Sequence, residues 1–184
     1  MKGIIFNLFE NFITKKFGDS TYEEIINSCD TGSFNPLDIV GPGSYPDELF
    51  TAILNKSSEI TKKSTADILR EMGRHSLPIL ADRYPHFFDD YKHPRDFLKT
   101  ASMIHQVEVR KLYQDAEVPK FFIDTHEDGE TILTYKSRRL LCHFAEGLIY
   151  GLGDHYRIPI NITQTECVQN GDKICKFNLK FQEK

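Results

Sequence analysis

Apolar residues recur at helical spacing through the first two-thirds of the chain. Residues 2 to about 16 place Ile5, Leu8, Phe9 and Phe12 on one stripe, and Thr21 to Cys29 extends the pattern into a second helix. Thr31 to Ser44 breaks it with Gly32, Asn35, Pro36, Gly41, Pro42 and Gly43, so it is a loop. A third helix is expected from near Pro46 to about Ile60, burying Leu49, Phe50, Ile53 and Leu54. Ser64 followed by Asp67 resembles a helix start, with Asp in place of the usual Glu or Gln of a capping box. That fourth helix carries Ile68, Leu69 and Met72, and Pro78 should end or kink it. The aromatic run Tyr84 to Tyr91 suits one more short helix. Pro94 to Pro119 then reads as a single helix with Phe97, Leu98, Ala101, Ile104 and Leu112 on its apolar face.

The period changes after Pro119. Lys120 to Thr125 and Glu130 to Tyr135 are short β-prone runs around His126-Glu127-Asp128-Gly129, a hairpin signal. Arg138 to about His155 returns to helix, with Leu141, Phe144, Ala145, Leu148 and Ile149 apolar. Ile158 to Cys167 and Ile174 to Phe181 read as two more strands joined at Asn170-Gly171-Asp172. The expected fold class is α+β: a helical N-terminal part and a four-stranded antiparallel sheet with a helix inserted, built as one domain over residues 1–184.

Composition narrows the function classes. A net charge of −4 without a basic run argues against nucleic acid. No apolar stretch approaches the roughly 18 residues of a membrane span, and Asn7, Glu10 and Asn11 interrupt the apolar start, so no signal peptide is read. A cytoplasmic protein is expected. No carboxylate pair, Gly-rich phosphate loop or Ser-His-Asp set suggests an enzyme.

Chemistry concentrates in three places. Tyr135, Ser137 and Arg139 alternate along an extended segment and would point the same way, offering two hydroxyls and a guanidinium fork to a carboxylate or phosphate. A solvated strand end is the plainer alternative. His105 and Gln106 sit mid-helix, and imidazole is much the better metal ligand of the two. Cys142, Cys167 and Cys175 recur late in the chain. Residues 167 and 175 fall opposite each other if Asn170-Gly171-Asp172 is a three-residue loop.

The motif Tyr135-Lys136-Ser137-Arg138-Arg139 resembles the Tyr-x-Ser-x-Arg motif of the H-NOX family, the haem–nitric oxide/oxygen binding domains. The opening Met1-Lys2-Gly3-Ile4-Ile5, Lys111-Leu112-Tyr113, Pro119, Leu140-Leu141-Cys142, Gly147-Leu148 and the span Cys167–Gly171–Cys175 are similar too. The resemblance implies non-covalent haem b, since no Cys-x-x-Cys-His attachment motif is present. It makes Tyr135, Ser137 and Arg139 the propionate clamp, and Ile5, Phe9, Leu80, Phe144 and Leu148 the distal wall. Family members that hold oxygen carry a distal Tyr five residues after the motif Arg; here that position is Phe144, so nitric oxide and CO, but no stable oxygen complex, are expected.

Two family positions are changed. Counting back from Tyr113, Pro119 and Tyr135 puts the proximal ligand at residue 106, which is Gln; His105 is one residue, or about 100° of helix, away. Either Gln106 occupies the proximal site or a local helix adjustment brings in His105. Some bacterial members bind zinc at the three Cys positions with a His at the position of Gln164. Here His143, His155 or water would have to complete the set; buried thiols or a disulfide are the alternatives. The resemblance implies signalling to a partner such as a histidine kinase or a cyclic-di-GMP enzyme. A redox or haem-state sensor, a haem-poor interaction module of the same fold, and a peroxidase-like enzyme are the competing readings.

Overall fold

A computed structural model describes residues 1–30, 35, 38–104, 118–126 and 130–182. The chain divides into two compact units, Met1–Met72 and Gly73–Lys184.

In the first unit, α1 (Gly3–Phe17) buries Leu8, Phe9 and Phe12 of the predicted stripe together with Phe6 and Ile13, while Ile5 is half-buried. Gly18 (φ +94°) closes α1 through a hydrogen bond from its N–H to Thr14 O, and α2 (Asp19–Ser28) starts directly after it. The chain reverses in one residue because glycine takes this conformation without a Cβ penalty. α3 (Asp47–Thr61) contributes Leu49, Phe50, Ile53 and Leu54, and the Phe50 ring meets Phe6 and Phe9 edge-on at 5.4 and 5.7 Å. The first residues are pinned to the loop before α3: Gly3 N–H donates to Gly43 O, Ile4 N–H to Gly41 O, and the Met1 ammonium meets the Asp47 carboxylate at 2.7 Å. Gly3 is required there, since a Cβ would stand 2.0 Å from Val40 O.

α4 (Thr65–Arg83) begins as Ser64 and Asp67 predict: Ser64 Oγ accepts the Asp67 N–H at 3.1 Å and donates to its carboxylate at 2.7 Å. It does not end at Pro78 but continues to Arg83. Proline costs a helix interior about 3 kcal/mol. Leu77 and Ala81, on either side of it, are buried in the core, while Pro78 itself is exposed, so packing holds the helix together.

The second unit is organised around one antiparallel sheet. Its strands are β1 (Lys120–Thr125), β2 (Thr131–Lys136), β3 (Ile160–Glu166) and β4 (Cys175–Phe181), in the order β1-β2-β4-β3. The expected hairpin is present, pairing Lys120 with Lys136 and Thr125 with Thr131. The β3–β4 pair carries an irregularity between Gln164 and Glu166, and its connection is longer than a three-residue loop, with a 3-10 turn at Val168–Asn170 before Gly171. Alternation sets the faces. Leu133, Tyr135, Cys175, Phe177, Leu179 and Ile160 point inward, to a core shared with Cys142, Ala145, Ile149 and Leu152 of α6 (Cys142–Tyr156). α5 (Pro94–Met103) adds Leu98. Tyr84–Tyr91 yields only a 3-10 turn at Pro85–Phe87.

The second half of α4 packs very tightly on α6. A Cβ on Gly73 would lie 2.3 Å from Phe144 O, and one on Gly151 would lie 2.8 Å from Leu77 Cβ. Beyond the crossing, Arg74 grips Asp154 with two hydrogen bonds, Nε to Oδ2 at 2.6 Å and Nη2 to Oδ1 at 2.8 Å. Backbones approach this closely only where one partner lacks a side chain.

Candidate functional site

The strand β2 delivers Tyr135 to the inner face, and the chain then turns. Ser137 and Arg139 do not continue the extended alternation expected from sequence. Ser137 Oγ accepts the Arg139 N–H at 3.2 Å, closing a tight turn, and Leu140 adopts a left-handed conformation (φ +53°). This turn also explains why α6 starts at Cys142 rather than at Arg138. The three motif side chains still gather in one place. Burial pushes the Tyr135 phenol up to about 12, while its hydrogen bond with Ser137 and the Arg139 charge act in the opposite direction. Two hydroxyls and a guanidinium within one turn form a donor set suited to a carboxylate-bearing ligand.

The sequence treats this clamp and the three thiols as separate sites; the fold joins them. Tyr135 lies directly opposite Cys175 in the β2–β4 register, and Cys142 opens the helix that follows the motif turn. No local pattern announces this, because it follows from β2 and β4 being neighbours. Cys142 Sγ lies 3.8 Å from Cys167 Sγ, and Cys175 Sγ accepts the Val168 N–H at 3.5 Å. Burial, followed by the neighbouring thiols, pushes Cys142 up; burial also raises Cys175. All three are buried and unlinked. Gln169 Nε2 ties the turn at Val168–Asn170 back to the motif by donating to Leu140 O at 2.8 Å, and Asp172 Oδ2 accepts the Cys167 N–H at 2.8 Å.

Of the candidate fourth ligands, His143 is the one in reach: its ring nitrogen, Cys142 Sγ and Cys167 Sγ all lie within 4.8 Å of one another. Its Nδ1 also faces the buried Glu146 carboxylate at 3.3 Å. His155 instead meets the Phe88 ring edge-on at 5.4 Å. Gln164 stands on the inner face of β3, and its buried Nε2 has no partner among the described residues.

The remaining candidates are distributed as follows. Ile5 is half-buried and Phe9 buried on α1 of the first unit. In the second unit, Leu80 on α4 and Leu148 on α6 are half-buried, Phe144 is buried, and Pro119 is half-buried just before β1. His105 and Gln106, with the rest of 105–117, lie outside the described residues. No helix among the described residues is long and apolar enough to cross a membrane.

A haem-NO-binding family model matches residues 2–164. The fold is that of the H-NOX protein from S. oneidensis in the Fe(II)NO ligation state, at a TM-score of 0.90 and 24% identity over 100% of both chains. The Fe(II) unliganded H-NOX protein from K. algicida is 29% identical, with a TM-score of 0.89, over 100% of this chain and 98% of that one. A 45-residue stretch is 42% identical to an uncharacterised protein of Methanocaldococcus jannaschii; it spans 24% of this chain and about a quarter (26%) of that protein. With a family model spanning nearly the whole chain and a shared architecture of helices over one antiparallel sheet, the chain belongs to the haem-NO-binding, or H-NOX, family.

Proposed function

We propose that this chain is a haem-based sensor of nitric oxide that signals to a partner protein and does not itself catalyse a reaction. The observation that carries this reading is the clamp: Tyr135, Ser137 and Arg139 gathered by one turn at the end of β2, in a chain that the family model covers. These residues fit haem b, whose two propionates require hydroxyl and guanidinium donors. When bound, haem supplies the iron to which a diatomic gas binds. Tyr135 contributes a phenol held in its protonated, donating form by burial, and Arg139 contributes the countercharge. Arg139→Ala is expected to speed haem transfer from the protein to an excess of apomyoglobin by roughly tenfold or more, for loss of a charge-assisted bond worth about 1.5–3 kcal/mol. A transfer rate equal to that of the parent would remove the clamp from the argument.

Phe144, a buried hydrocarbon ring at the family's distal donor position, supports nitric oxide and CO over oxygen. Bound oxygen carries partial negative charge and gains more from a hydrogen bond than nitric oxide does. The ferrous protein is therefore expected to show no lasting oxygen spectrum in air, whereas Phe144→Tyr should produce one; a long-lived spectrum in the parent would contradict the assignment.

For the proximal side we infer that Gln106 takes the ligand position, as counting from Tyr113, Pro119 and Tyr135 requires. The alternative is a local helix adjustment that turns His105 through the roughly 100° separating it from the direction that Gln106 takes in a regular helix.

The thiol cluster fits a second ion. Two thiolates bound to tetrahedral zinc at about 2.3 Å stand roughly 3.8 Å apart, which is the separation of Cys142 and Cys167. We propose Cys142, Cys167 and Cys175 as ligands; His143, whose ring nitrogen lies within 4.8 Å of the Cys142 and Cys167 sulfurs, would have to draw nearer Cys175 to take the place of the family's His, with Glu146 beside its ring. Protein purified without chelator should contain close to one equivalent of zinc by elemental analysis; a trace amount would leave a cluster of buried thiols.

A further inference from the structure

The outward face of the sheet has no role in the clamp or the thiol cluster. Register places Lys120, Phe122 and Asp124 of β1 beside Lys136, Thr134 and Ile132 of β2 on that face. Phe122 is 59% exposed, one of few large apolar side chains so placed among the described residues. Lys120 and Lys136 are directly opposite each other, both exposed, and neither has an acidic partner among the described residues. Like charges at this spacing destabilise a strand pair. Next along the face comes Lys176, held to Glu166 at 2.7 Å, and then the exposed Lys180. The end of this face at Lys120 and Lys136 is thus positive beside an exposed aromatic ring, while Asp124 and Glu130, which accepts from Asn178 Nδ2 at 3.0 Å, lie toward the other end.

We propose that the outward face of β1 and β2 is a docking surface for an acidic protein segment whose carboxylates flank an apolar side chain. Carboxylates would relieve the Lys120–Lys136 repulsion, and the apolar group would cover Phe122. A protein segment fits better than an anionic bilayer. Asp124, with a side chain 78% exposed, and Glu166 share the face and would be pressed against lipid charge, whereas a protein can match both signs point by point. The assignment rests on the sensor reading for its purpose, since a sensor needs an output surface, but not for its geometry.

The test uses the full haem-loaded chain with a photocrosslinking phenylalanine analogue at position 122 or, as a control on the same face, at Asn161. The protein captured in the host is identified, purified and titrated against the chain by calorimetry. Capture from position 122 but not 161 is expected. F122A and the double change K120E/K136E should each weaken binding roughly tenfold or more, and binding to K120E/K136E should recover when carboxylates of the captured segment are changed to lysine. Capture that fails at 122, or a captured partner that binds K120E/K136E as tightly as the parent, overturns the proposal. So does Phe122-dependent sedimentation with vesicles of phosphatidylcholine and phosphatidylserine, which would make the face a membrane contact. Haem uptake and the nitric oxide spectrum should be unchanged in these variants. Measured on the parent, they test the sensor reading separately, so either idea can fail alone.

Discussion

Gly73→Ala is expected to destabilise the protein by about 2 kcal/mol or more, despite alanine's advantage of about 1 kcal/mol over glycine in a helix. The added methyl would stand 2.3 Å from Phe144 O, 2.8 Å from Leu148 N and 2.9 Å from Gly147 Cα. All three are backbone atoms of α6, so no side-chain rotation relieves the overlap. Either α4 separates from α6 or the backbone of α6 distorts, and both expose core around Ala145 and Ile149. Gly151→Ala is the graded comparison. Its contacts are longer, Leu77 Cβ at 2.8 Å, Arg74 O at 3.0 Å and Arg74 Cα at 3.4 Å, so a smaller loss is expected. Thermal unfolding of the two variants reads the difference as a fall in Tm of several degrees for Gly73→Ala. Equal stability of Gly73→Ala and the parent would mean that the helices do not approach this closely.

The second large effect concerns the iron. Resonance Raman spectra of the ferrous, haem-loaded protein are expected to lack an iron–imidazole stretch, and Gln106→His is expected to introduce one, because a carboxamide is a far weaker donor than imidazole. A band in the parent that disappears in His105→Ala would reverse the assignment. The two outcomes lead to different sensors. With an imidazole from His105 holding the iron, gas binding would be the input. An amide oxygen is a harder donor that favours ferric iron, so the oxidation state of the haem becomes a second input.

Much of the architecture was legible in the chain because it is local. Apolar spacing located α1, α3 and the hairpin to within a residue or two, and Ser64 with Asp67 marked the start of α4. Where the reading failed, a non-local force had prevailed. Pro78 remained inside α4 because Leu77 and Ala81 are anchored in the core. The extended alternation of Tyr135, Ser137 and Arg139 gave way to a turn closed by the Ser137 hydroxyl, which delayed α6 to Cys142.

What the sequence determined by itself was the set of chemical parts: two hydroxyls and a guanidinium at Tyr135, Ser137 and Arg139, three cysteines, a glutamine at residue 106, and the class of fold that carries them. Residue identity and spacing along one chain are sufficient for that, because each part is built from neighbours in sequence. Only the tertiary structure decided which parts are adjacent. Strand order placed Tyr135 against Cys175 and made the Tyr135 motif and the thiols one region; helix α6 carried His143 into reach of Cys142 and Cys167. The close crossing of α4 and α6 made Gly73 indispensable, and the β1–β2 register set two lysines face to face beside an exposed phenylalanine. Adjacency between segments remote in sequence is fixed by how whole elements bury their apolar faces together, and no local spacing encodes it.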